Sequence, residues 1–148
     1  ELLGDGKRLA DYDERHSVPR KPSARGYLKT IKERGARLGD ATSLPAVLYD
    51  LALRNHDNQS LFDAVCYTDE VQHGRAKPDV FLLAAGKLGI APENCIVFED
   101  IPEAALSAKA AGMTVYAVYD KASAAHWSHM QEMADGALYD FQDAPLPE

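Results

Sequence analysis

Two adjacent carboxylates, Glu99 and Asp100, end the short apolar run Cys95-Ile96-Val97-Phe98. Ile101-Pro102 and an Ala-rich helical segment follow at once. That grammar is a buried parallel strand feeding a helix, with Pro102 suited to the helix's first turn. Open α/β sheets collect their ligands at the carboxyl ends of such strands. Two acids delivered there suit a hard cation such as Mg²⁺, which takes carboxylate oxygens and keeps several waters. An acid pair also complements a helix N-terminus, so in isolation the two readings weigh about equally.

Two more features tip the balance. Thr42 puts a small hydroxyl at the end of an expected strand, and Arg75 or Lys77 puts a cation in a crossover. In a parallel sheet these groups and the acid pair converge on one carboxyl edge. A hydroxyl and a cation hold phosphate oxygens, while carboxylate-held Mg²⁺ neutralises the charge of phosphoryl transfer. The ordered set points to phosphate chemistry. Other chemistries lack their motifs: there is no GxxxxGK[ST] loop and no GxGxxG fingerprint. His126 and His129 share a helix face without a third ligand and read as a solvated face.

The elements that must position these groups are legible from periodicity. Ala24, Tyr27, Leu28 and Ile31 form one helical face that Gly35 ends, and Ala36 to Ala41 reads as a strand. A helix with the stripe Leu44, Val47, Leu48 and Leu51 follows, then a strand from Phe62 to Tyr67. Pro78 opens a helix with the stripe Phe81, Ala84, Ala85 and Leu88, stopped by Gly89. Beyond the acid pair come a helix from about Glu103 to Ala111 and a strand from Thr114 to Tyr119. A helix carrying Trp127, Met130 and Met133 and a last strand from Ala137 to Phe141 complete the pattern. Strands alternating with helices imply a parallel sheet with right-handed crossovers. Asp40 conflicts with it, because a carboxylate inside a doubly covered strand needs a partner or a later strand start.

At 148 residues the chain is expected to form one domain. The 23 acidic and 16 basic residues give a formal net charge of −7 without a basic cluster, which argues against a nucleic-acid-binding face. No apolar run approaches a membrane span, and the first residues lack a signal-peptide design. Cys66 and Cys95 fall in expected buried strands without metal-ligand spacing, as inert core thiols of a cytoplasmic protein do.

From about Val18 onward the chain resembles the haloacid dehalogenase superfamily of phosphatases, in the branch of β-phosphoglucomutase-like and phosphoglycolate-phosphatase-like enzymes. The resemblance rests on PRKPSARGYLKTIKERGARLGDATS, FDAVCYTDEV, PDVFLLAAGKLGIAPENCIVFED and AALSAKAAGMTVYAVYD. It implies a Rossmann-like three-layer α/β sandwich with a mostly parallel sheet. It also implies a Mg²⁺-dependent phosphatase acting on a small phosphorylated metabolite, such as a sugar or nucleoside phosphate, through an aspartyl-phosphate. Thr42 matches the residue that hydrogen-bonds the phosphoryl group, with Ser43 beside it, and Glu99 and Asp100 match the acids that hold the metal.

Three departures accompany the resemblance. The family's nucleophile lies in a pattern hhhhDxDGT that does not occur here. Asp11-Tyr12-Asp13 has the DxD spacing but no buried strand before it and no Gly-Thr after it. Residues 1–17 therefore read as the remnant of a helical cap, 18–22 as a hinge and 23–148 as the core without its first strand. On this reading the chain itself is inactive, and the alternative is a non-catalytic binding or regulatory module. Second, the family's Lys precedes Phe by six residues, where this chain has Arg75, while Lys77 precedes Phe81 by four. Third, Ile101 and Ala104 replace small residues and are expected to crowd the helix start.

Overall fold

The computed structural model describes residues 2–4, 24–42 and 62–146. Six strands of the described residues form one sheet: β1 (Leu2–Gly4), β2 (Arg37–Thr42), β3 (Ala64–Tyr67), β4 (Ile96–Glu99), β5 (Thr114–Val118) and β6 (Gly136–Leu138). Their order is β3-β2-β1-β4-β5-β6. The pairs β2/β3, β4/β5 and β5/β6 are parallel, as the alternation of strands and helices requires.

The exception is β1, which runs antiparallel to both β2 and β4. The sequence leaves an open position beside the central strand, and Leu2–Gly4 occupies it. These three residues belong to the sheet and not to a cap helix; the remainder of 1–17, and the hinge at 18–22, lie outside the described residues. Edge groups beside a buried strand demand hydrogen-bond partners, and a short segment in either direction supplies them.

Helices cover both faces. α1 (Ala24–Glu33) lies on one, while α2 (Asp79–Leu88), α3 (Pro102–Ala110) and α4 (Trp127–Met133) contribute to the other. The pleat sorts β4 accordingly: Val97 packs with α2, α3 and α4, whereas Ile96 and Phe98 pack with Tyr27, Leu28 and Ile31 of α1. Every residue of β4 is buried, the apolar Ile96, Val97 and Phe98 and the terminal Glu99 alike. Phe98 sits 5.8 Å from the Tyr27 ring and 5.2 Å from Phe141, both edge-on. Burying such a ring contributes about 2–3 kcal/mol, so Phe98 is a principal anchor of the strand that carries the acids.

The expected helical stripes are buried as read: Phe81, Ala84, Ala85 and Leu88 in α2, and Met130 in α4 with Trp127 and Met133 partly buried. Gly89 ends α2 with φ 71°, the left-handed cap that favours glycine. Two boundaries differ from expectation. β2 runs to Thr42, so Asp40 lies inside the strand and is fully buried; a later strand start is excluded. The last strand stops at Leu138, because Asp140 accepts a hydrogen bond from the Gln142 N–H and turns Phe141 into a short 3-10 segment. The helix expected from Leu44 lies outside the described residues. Cys66 and Cys95 are buried and not joined in a disulfide, and no described helix is long and apolar enough to cross a membrane.

Two aspartates hold the register at the sheet's opposite edge. Asp63 accepts the Leu38 N–H at 2.7 Å and Asp135 accepts the Val115 N–H at 2.8 Å. Each also returns its own N–H to the same residue's carbonyl, which extends the β2/β3 and β5/β6 ladders by one pair.

Candidate active site at the carboxyl edge of β2 and β4

Leu2 of β1 is level with Gly39 of β2 and with Val97 of β4. Three residues further along each strand stand Thr42 and Asp100, so the two reach the same height at the same sheet edge. One strand separates them, which puts their backbones about 9–10 Å apart at the usual interstrand spacing. A shared parallel direction brings the hydroxyl-bearing and acidic ends together, as the sequence anticipates. Thr42 is placed here by its backbone alone, opposite Tyr67 of β3; Ser43 lies outside the described residues.

The acid pair is buried, with Glu99 1% and Asp100 5% exposed. The two carboxylates are treated differently. Glu99 Oε1 accepts the backbone N–H groups of Asp100 at 3.1 Å and Ile101 at 3.2 Å, fixing the turn from β4 into α3. Its Oε2 lies 3.2 Å from Arg75 Nη1 in an ion pair whose acid side chain is fully buried. Asp100 Oδ2 accepts the Ser123 hydroxyl at 2.6 Å. Glu99 is thus joined to a cation, and Asp100 to a neutral donor.

Of the two candidate cations, the structure brings Arg75 to the acid pair and leaves Lys77 exposed in the crossover. Arg75 also lines an open cavity of about 280 Å³ with His73, Ala76, Ile101, Glu103 and Ala104. Ile101 and Ala104, expected to crowd the helix start, form a wall of that cavity. His73, Glu103 and Ser123 were not singled out from the sequence. Ser123 follows the end of a parallel strand by a few residues, the one positional signal that could have drawn attention to it. His126 and His129 are exposed, and the described residues contain no cluster of three metal-ligating side chains.

The arrangement offers a buried anionic oxygen donor beside a guanidinium, with a strand-end hydroxyl residue at the same height. The chemistry of that set matches a hard cation and a phosphate together. A family model of haloacid dehalogenase-like hydrolases matches residues 3–112. The chain belongs to this family. Among haloacid dehalogenase-like relatives, a phosphorylated carbohydrates phosphatase of Thermotoga maritima is 34% identical over 92 residues, spanning 62% of this chain and 43% of that protein. A Drosophila melanogaster protein described as a probable pseudouridine-5'-phosphatase is 35% identical over 128 residues, 82% of this chain and 55% of that one. The crystal structure of CbbY from Rhodobacter sphaeroides in complex with phosphate superposes with a TM-score of 0.73 at 25% identity, covering 83% of this chain and 54% of CbbY. The chain spans about half the length of the relatives it matches.

Proposed function

We propose that these residues form the metal- and phosphate-binding edge of a Mg²⁺-dependent phosphatase that hydrolyses a small phosphomonoester, a sugar or nucleoside phosphate. The observation that carries this reading is the separation of roles at the end of β4. Arg75 engages Glu99 and the Ser123 hydroxyl donates to Asp100, so two adjacent buried acids at the strand end are held by different elements.

Asp100 would hold Mg²⁺, with Glu99 behind it, and the ion would supply charge neutralisation for the phosphoryl oxygens. Thr42 would donate its hydroxyl to one phosphoryl oxygen from the end of β2, with Ser43 beside it. Arg75, while paired with Glu99 through Nη1, would offer a guanidinium N–H to another. Lys77 is the alternative cation of the same loop. The nucleophile would be an aspartate of the family's DxDGT strand, which this sequence lacks. Its carboxylate oxygen bonds to phosphorus as the ester P–O bond breaks; the leaving alcohol takes a proton, and water then cleaves the aspartyl-phosphate. The relatives' names and the phosphate bound to CbbY support phosphate as the recognised group.

The test is turnover of a generic phosphomonoester by the full-length protein, with Mg²⁺ and after chelation. Hydrolysis that requires Mg²⁺ is expected. Hydrolysis indifferent to chelation would remove the metal from this reading, and a well-folded protein without turnover on any sugar or nucleoside phosphate would remove the activity.

A further inference from the structure

Ser123 lies 23 positions from Asp100 in sequence, yet its hydroxyl donates to Asp100 Oδ2 at 2.6 Å. Both residues are buried, Ser123 being 8% exposed. A contact of that length falls in the range of hydroxyl-to-carboxylate bonds assisted by charge. The competing acceptor, the Asp120 carbonyl oxygen, stands at 3.5 Å, so the single hydroxyl proton goes to Asp100. Ser123 is itself tied down. Its N–H donates to the Asp120 carbonyl at 3.0 Å, and the 3-10 segment Lys121–His126 kinks at this residue, with φ −114° and ψ 22°. The end of β5 therefore sets where the hydroxyl points.

We infer that Ser123 is a positioning residue that orients the Asp100 carboxylate for a divalent cation. A donor fixed on one carboxylate oxygen restrains rotation of the group. Groups that orient metal ligands in this way typically contribute about 10–100-fold to metal affinity. The inference rests on the metal reading of Asp100, and its test separates the two.

Mg²⁺ affinity of the full-length protein is measured by titration calorimetry, and Mn²⁺ binding by the loss of free-ion EPR signal, for the parent, Ser123→Ala, Ser123→Thr and Asp100→Asn. Ser123→Ala is expected to raise both dissociation constants about 10–100-fold, with Ser123→Thr recovering most of the affinity because it keeps the hydroxyl. Should Ser123→Ala fail to fold, Ser123→Cys takes its place, close in size and a far weaker donor. Parental affinity in either folded variant, while Asp100→Asn loses the metal, overturns the role of Ser123. Parental affinity in Asp100→Asn overturns the metal reading itself, and the inference with it.

Discussion

Arg75 Nη1 lies 3.2 Å from Glu99 Oε2, joining the loop before α2 to the end of the central strand. The acid side chain of this pair is fully buried and the guanidinium nearly so, at 12% exposure. Removing one member of such a pair leaves a charge in a medium that solvates it poorly. Arg75→Ala is expected to cost about 3–5 kcal/mol of stability. Lys77 is exposed, and Lys77→Ala should stay within about 0.5 kcal/mol. Denaturant titration of the two variants ranks them, and turnover in the full-length protein should fall far more for Arg75→Ala. A larger turnover loss in Lys77→Ala would show that the loop shifts and that Lys77 meets the phosphate.

Glu99 and Asp100 should fail differently. Glu99→Gln breaks the ion pair and weakens the turn into α3, so its loss appears in denaturant stability even without metal. Asp100→Asn keeps an acceptor for the Ser123 hydroxyl, and its metal-free stability is expected to stay within about 1 kcal/mol of the parent. Its loss should appear as Mg²⁺-dependent turnover. Equal loss of stability in both variants would mean that Asp100 is a structural acid.

Residues 1–148 alone are expected to hydrolyse phosphomonoesters at background rates. Loss of a nucleophile costs on the order of 10⁴–10⁶ in turnover even where the binding site survives. The check is a Mg²⁺ turnover assay of this chain beside Asp11→Asn and Asp13→Asn. Robust hydrolysis abolished by either substitution would make Asp11-Tyr12-Asp13 a displaced nucleophile motif.

Burial pushes the Cys66 thiol up to about 11, with the Lys87 charge opposing it and Glu70 and Asp40 adding to the rise. An unfolded thiol ionises near pH 8.5. The folded state therefore retains its proton longer, and stability on this account is complete below that pH and declines as pH rises toward 11. A Cys66→Ala protein should lose less stability than the parent between pH 8.5 and 10.5. In the folded parent, reaction of Cys66 with a thiol reagent at pH 8 should be slow and limited by opening of the structure; rapid labelling would contradict its burial.

The order of strands and helices, the stripes of α1, α2 and α4 and the acids at the end of β4 were readable from the chain alone. Each is a local property, written in the period of apolar residues and in the Pro and Gly that bound them. The convergence of Thr42 and Asp100 also followed, since parallel strands share their carboxyl edge. Tertiary structure alone decided the rest. Arg75 and Lys77 are both cations two residues apart, and only the path of the loop against β4 determines which one reaches Glu99. Ser123 bonds to Asp100 across 23 residues, a pairing that no periodicity encodes because it depends on how far the segment after β5 folds back. The antiparallel entry of Leu2–Gly4 between β2 and β4 is of the same kind. Three residues carry almost no directional pattern, and their place is set by the unsatisfied backbone groups of the two strands that receive them.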